Sequence, residues 1–374
     1  KTGPMTKRSG PVVGCDSHTY ATSETPLAPC IPEKFREAGA QGQASQPGHG
    51  YQNPFGVNRR DVEGCSPQSW ARDYLDLYGI AFAVIQPPGI SVSLAHDIDV
   101  GAALARAWND WQIEHWLRAD ARYLGSICIN ANDPAQAVTE IERCAAHPQM
   151  VQVIVTGESS LLYGHRFYHP IYAACEAAGL PFAMHPGAEG ARTPSTPIGA
   201  AASYFEWHST LPLTFMAHTA SLVCNGVFEK FPRFKVVLVE GGFGWLPHLM
   251  WRLDKNFKAL RSTTPWLKRA PSETIREHVR LTSQPIEEPP TTQQFLELLE
   301  MMDAQNTLLF SSDFPHWDFD DPRRIFPPRM DEKLLRRILG ENAAQLYGLR
   351  LENSTENETA KSETVKSENR EALV

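Results

Sequence analysis

The feature that most constrains this chain is a rhythm. Eight short apolar runs are separated by stretches with helical periodicity, the pattern of repeated βα units and a parallel sheet. The runs fall at residues 12–18, 80–86, 123–130, 150–157, 180–187, 234–242, 279–285 and 307–316. Between them lie helical stretches such as "DIDVGAALARAWNDWQIEHWLR" and "DPAQAVTEIERCAAH", the second with Asp133 as N-cap and Pro134 at the first helical position. Eight such repeats predict a (β/α)₈ TIM barrel. The alternative is an open doubly wound sheet, but no G-x-G-x-x-G follows the first run to support it.

Two regions break the rhythm. Residues 19–79 join the first two runs and include the Gly/Gln/Asn/Pro-rich "GAQGQASQPGHGYQNPFGVN". An insertion at that junction is expected on the catalytic face, as a lid or pocket wall. Residues 351–374 are polar and aperiodic and are expected as a disordered tail, and residues 1–10 as a disordered N-terminus or tag remnant. The barrel is expected over residues 11–350.

The formal charge of −8 leaves no basic footprint, so nucleic acid is not an expected partner, and no apolar run reaches the length of a membrane span. The seven cysteines form no C-x-x-C pair, which suits free thiols in the cytoplasm.

In such a barrel the active site lies at the C-terminal ends of the strands, so the polar residues found there are the informative ones. The first run carries Asp16 and His18, two positions apart and hence on one face of a strand. The fifth ends on His185, the sixth on Glu240 and the eighth on Asp313. Asp16, His18, His185 and Asp313 form a mixed nitrogen and oxygen set suited to one divalent ion, zinc first and manganese second.

The segments "CDSH", "YHPIYAACEAAGLPFAMHPG", "GVFEKFPRFKVVLVEGGFGWLPHLMWRLDKNF", "TSQPIEEP" and "SSDFPHWD" follow one another in this order. Together they resemble the amidohydrolase superfamily over about residues 10–348. Within it they resemble the amidohydrolase-related branch that includes aminocarboxymuconate-semialdehyde decarboxylase and the resorcylate-type decarboxylases. The resemblance implies a mononuclear metal held by Asp16, His18, His185 and Asp313. It also exposes two departures: Asp16 stands where better-known members carry His or Glu, and Glu240 stands where the decarboxylases usually carry His. Relatives of this kind often form dimers, and the sequence leaves a homodimer open.

Glu240 is a candidate general base, or acid if burial raises its pKa; the alternative is that it orients a ligand or pairs with Arg252. His218, in a helical pattern, is a catalytic candidate that would have to tip into the pocket, with a core His bonded to backbone as the alternative. His316, three residues past Asp313, is a candidate for substrate contact, and Arg166 for pairing with a substrate carboxylate. Trp207, Trp245, Trp251, Trp317, Phe205 and Phe243 supply aromatic bulk, some of it for the floor of a pocket, with Trp245 the substrate-binding candidate.

The reaction expected from the resemblance is non-oxidative decarboxylation of a small aromatic or unsaturated acid, with Asp313 protonating the carbon that loses carbon dioxide. The alternative is hydrolysis by a metal-activated water, with Asp313 as base. A binding barrel without catalysis is the rival of a different class.

Overall fold

A computed structural model describes residues 10–21, 26–35, 66–187, 201 and 203–351. The expected N-terminal remnant (except Gly10), the C-terminal tail beyond residue 351 and residues 36–65 of the insertion lie outside the described residues.

Eight strands run in parallel and pair strictly in chain order: β1 Val12–His18, β2 Ile80–Gln86, β3 Tyr123–Cys128, β4 Met150–Thr156, β5 Phe182–His185, β6 Val236–Leu238, β7 Val279–Thr282 and β8 Leu308–Leu309. Backbone bonds from Cys15 N to Phe310 O (2.9 Å) and from His18 N to Phe314 O (2.7 Å) join the last strand's continuation to the first. The ring is thereby closed, and the barrel expectation holds. Strands in such a ring are covered on both faces; β3 and β4 are buried at every position, which explains why they read as continuous apolar runs.

The helices begin where the chain supplies caps. Asp133 accepts from the backbone N–H groups of Ala135 and Gln136 to start Pro134–Ala145, and Asp97 accepts from Val100 N to start Ile98–Gln112. Among the described residues no helix is long and apolar enough to cross a membrane.

Six strands are shorter than their apolar runs, the sixth and eighth most of all. The sixth and eighth runs extend to 242 and 316, yet β6 ends at Leu238 and β8 at Leu309. The chain then leaves the extended conformation, and Glu240 (φ 58°) and Asp313 (φ 55°) adopt left-handed backbone angles. Such angles are rarely held by non-glycine residues and cluster at functional sites.

The end of the insertion packs onto the barrel. Residues 67–70 form a helix capped by Ser66, which continues through a π-turn over Ala71–Asp76. Its Tyr74 is wholly buried, stacks on Phe314 and is hydrogen-bonded to Ser312 (2.6 Å) and Ser17 (3.1 Å). The phenol thus ties β1 to the segment after β8, where the ring closes. Gly14 makes room for it, since a Cβ there would lie 2.5 Å from the Tyr74 hydroxyl.

Tyr74→Phe should lower the unfolding free energy by about 1 kcal/mol through the lost hydroxyl partner. Gly14→Ala should lower it by roughly 1–3 kcal/mol through overpacking. Urea denaturation monitored by tryptophan fluorescence measures both.

Candidate metal centre

Asp16 and His18 occupy the end of β1, His185 the last position of β5, and Glu240 and Asp313 the turns just beyond β6 and β8. Their side chains converge. His185 Nε2 lies 3.0 Å from Glu240 Oε2, 3.2 Å from His18 Nε2 and 3.8 Å from Asp16 Oδ2. His18 Nε2 lies 3.4 Å from Asp16 Oδ1 and 3.1 Å from Asp313 Oδ1. One donor atom from each of Asp16, His18, His185 and Glu240 lies within 4.8 Å of every other, and donors of His18, Asp313 and His316 form a second such group.

Protonation sharpens the picture. His185 Nδ1 is 2.6 Å from the Pro186 carbonyl, which can only accept, so Nδ1 carries the proton and Nε2 presents its lone pair to the cluster. Burial depresses the His185 pKa to about 4, which keeps the ring neutral. Burial alone would lower His18 as well, but the adjoining Asp16 and Asp313 raise it to about 10. Burial, and then the neighbouring Asp313, Asp16 and Asp318, push the Glu240 carboxyl well above its usual range. Asp313 is raised as well, chiefly by burial.

Asp16, Glu240 and Asp313 are fully buried, and neither oxygen of Asp16 or of Glu240 accepts a hydrogen bond among the described residues. Buried anions without donors are costly unless they are paired or bind a cation. A donor set of carboxylate oxygens and imidazole nitrogens, spaced about 3–4 Å apart, fits a divalent ion, whose binding would displace the His18 proton.

The turn that presents Glu240 is held from three sides. Its N–H donates to Thr282 Oγ1 (2.8 Å), the Trp245 indole donates to the carbonyls of Gly241 (3.0 Å) and Gly242 (3.1 Å), and Glu287 Oε1 accepts from Phe243 N and Gly244 N. Gly242 itself has φ 63°, the left-handed region that glycine adopts without strain. Trp245 was expected at the substrate; in the structure its indole fixes this turn.

Asp313 is held differently. His316 Nδ1 donates to Oδ1 (2.7 Å), Gln284 Nε2 donates to Oδ2 (3.3 Å), and His316 Nε2 meets the Tyr20 hydroxyl at 2.9 Å. Beyond Gln284 lies Asp318, which also faces His208 at 3.4 Å; His208 in turn stacks on Tyr204 and lies 4.0 Å from Glu240 Oε1.

Three expectations are corrected. His218 has both ring nitrogens committed to main chain, Nε2 to Gly157 O (2.6 Å) and Nδ1 to Tyr163 N (3.1 Å), so no nitrogen remains for a substrate. Arg166 is exposed on the turn Arg166–Tyr168 and touches none of the cluster residues among the described residues. Arg252 is exposed and does not pair with Glu240. Of the aromatic residues, Phe205 (82% exposed) and Trp251 (57%) face solvent and Phe243 is core, while the Trp317 indole donates to Tyr204 beside His208.

Tyr20, His208, Gln284 and Asp318 were missed. Gln284 and Asp318 sit inside the quoted runs "TSQPIEEP" and "SSDFPHWD", and Tyr204 and His208 share a helix face at i, i+4 spacing, the one signal that pointed to them.

His218→Leu should leave metal content unchanged and cost about 2–3 kcal/mol of stability, because the Tyr163 N–H and the Gly157 carbonyl lose a buried partner. Elemental analysis and chemical denaturation check the two halves.

The family model described as Amidohydrolase matches residues 38–349. A γ-resorcylate decarboxylase from Polaromonas sp. (strain JS666 / ATCC BAA-500) is 26% identical over 291 residues, spanning 74% of this chain and 85% of that protein. The crystal structure of 2,6-dihydroxybenzoate decarboxylase complexed with 2,6-dihydroxybenzoate superposes with TM-score 0.66 at 21% identity, covering 91% of this chain and 100% of the other. A dihydroxybenzoic acid decarboxylase from Polaromonas sp. JS666, with bound manganese and the inhibitor 2-nitroresorcinol, gives TM-score 0.65 at 21% identity, with 91% and 98% covered. The chain belongs to the amidohydrolase family.

Proposed function

We propose that this protein is a metal-dependent, non-oxidative decarboxylase of a small aromatic carboxylic acid. The observation that supports it most is a division of labour at one end of the barrel. A donor cluster of Asp16, His18, His185 and Glu240 stands beside the carboxyl of Asp313, which is held by His316 and Gln284 and whose Oδ1 is 3.1 Å from His18 Nε2. The curated relatives named γ-resorcylate decarboxylase point to the same chemistry.

A divalent ion held by Asp16, His18 and His185 would supply the positive charge that binds a substrate carboxylate and a neighbouring oxygen. Zinc is the expectation from the residue types. The weight of carboxylate oxygen in the donor set, together with the manganese bound in a related decarboxylase, favours manganese.

The chain's own groups do the rest. Asp313 would deliver a proton to the ring carbon that carries the carboxylate, a role favoured by the burial that raises its carboxyl. As carbon dioxide leaves, the bonding pair stays with the ring and the proton replaces the lost carboxyl, so nothing is oxidised or reduced. His316 and Gln284 hold Asp313 to one orientation, and the Tyr20 hydroxyl against His316 Nε2 fixes the imidazole in turn. Trp317, with Tyr204 and His208 stacked beside it, offers aromatic surface for a planar substrate.

Manganese-loaded protein incubated with 2-hydroxybenzoates, 2,6-dihydroxybenzoate among them, should release carbon dioxide. In deuterated water it should place one deuterium on the product ring. Chelation should abolish turnover and added Mn²⁺ restore it, and Asp313→Asn should lower kcat on the order of 10²–10⁴-fold. Absence of carbon dioxide release, together with incorporation of solvent ¹⁸O during cleavage of an ester, lactone or amide panel, would replace this reading with hydrolysis.

A further inference from the structure

We infer that Gln86 reads the substrate: its side-chain amide hydrogen-bonds a ring hydroxyl that the metal does not hold, so the site takes a hydroxylated aromatic acid with a single carboxylate. The assignment rests on the decarboxylase reading above.

Gln86 is the last residue of β2 and is wholly buried, yet neither its Nε2 nor its Oε1 has a hydrogen-bond partner among the described residues. The other buried glutamines are engaged. Gln112 donates to Ser126 O (2.8 Å) and accepts from Ser126 N (3.2 Å), and Gln152 donates to Ser126 Oγ (2.9 Å) and accepts from the Tyr347 hydroxyl (2.8 Å). Gln284 donates to Asp318 Oδ2 (2.8 Å). A bare amide in the interior costs more than an ordinary hydrogen bond returns, so one standing at the catalytic end of a barrel strand marks a place for a ligand.

Register gives its direction. Parallel pairing sets Gln86 opposite His18 and Ile85 opposite Ser17, and paired residues project their side chains from the same face of a sheet. Ser17 Oγ meets the Tyr74 hydroxyl on the helix side of β1, while His18 points to the donor cluster. Gln86 therefore points into the lumen beside His18. Its strand end is fixed before any ligand arrives: Thr19 donates through N and Oγ1 to Gln86 O, both at 3.1 Å, Pro87 and Pro88 follow, and Gly89 lies so close to the Trp108 ring that no Cβ would fit.

The chemistry of the amide selects the group. It offers donors and an acceptor and carries no charge, which matches a hydroxyl that both gives and receives a hydrogen bond. A second carboxylate would call for a fixed cation, and no Lys or Arg is buried among the described residues. The carboxylate and one neighbouring oxygen go to the metal, and a further hydroxyl goes to Gln86.

The test pairs turnover with melting in manganese-loaded protein, comparing 2,6-dihydroxybenzoate with 2-hydroxybenzoate, which lacks the second hydroxyl. Wild type should favour the dihydroxy acid on the order of 10–100-fold in kcat/KM. Gln86→Leu and Gln86→Met should erase most of that preference through a higher KM for the dihydroxy acid at little-changed kcat, because the bond is the same in the bound and transition states. Without ligand both variants should melt about 1–3 °C above wild type, since a bare amide is gone; a glutamine with a structural partner would give the opposite shift. No preference in wild type, a preference that survives both substitutions, losses that fall equally on the two acids, or both variants melting below wild type overturns the assignment and leaves the decarboxylase reading standing. Failure of wild type to release carbon dioxide from either acid overturns both.

Discussion

The repulsion among three buried carboxylates, Asp16, Glu240 and Asp313, is the constraint around which this end of the barrel is built. Two of them lack any hydrogen-bond donor among the described residues, and the nearest nitrogens are imidazoles, one of which offers its lone pair. In a low-dielectric interior this arrangement costs several kcal/mol per uncompensated charge, so it persists only when a cation, or protons, make up the difference. The raised carboxyls of Glu240 and Asp313 and the raised imidazole of His18 record the same crowding from the side of the protons.

The fold must hold those groups together against that repulsion. Closing the strands into a ring brings β1, β5, β6 and β8 within reach of one another at their C-terminal ends. Local devices then aim each side chain: Thr282 and Trp245 at the Glu240 turn, Pro186 O for the His185 tautomer, and His316 and Gln284 for Asp313. Tyr74, reaching in from the end of the insertion, ties the backbones on either side of the closure. The ends of the strands therefore carry the chemistry, while the strand bodies and helices supply rigidity.

The eight strands were legible because both faces of each are covered, which leaves continuous apolar runs bounded by capped helices. The Asp16 and His18 pair was legible through strand alternation, and His185, Glu240 and Asp313 through their place at strand ends. Strand length was not legible: a run such as "FKVVLVEGG" carries no mark of the turn at Glu240, whose backbone is dictated by partners from β7 and from Trp245. Helical histidines were the least legible, since a helix has no preferred inward face when it is apolar all round. On the helix Tyr204–Cys224, His218 binds backbone and His208, four residues into the helix, leans toward Glu240 and Asp318. Tyr20 escaped notice because it meets His316 only after the chain ends of β1 and β8 come together.

Anomalous diffraction at the manganese edge, on crystals grown from protein loaded with Mn²⁺, tests the central claim most directly. The account predicts one strong peak enclosed by Asp16, His18 and His185. A cluster without a peak, in crystals whose protein carries the ion elsewhere, would contradict it.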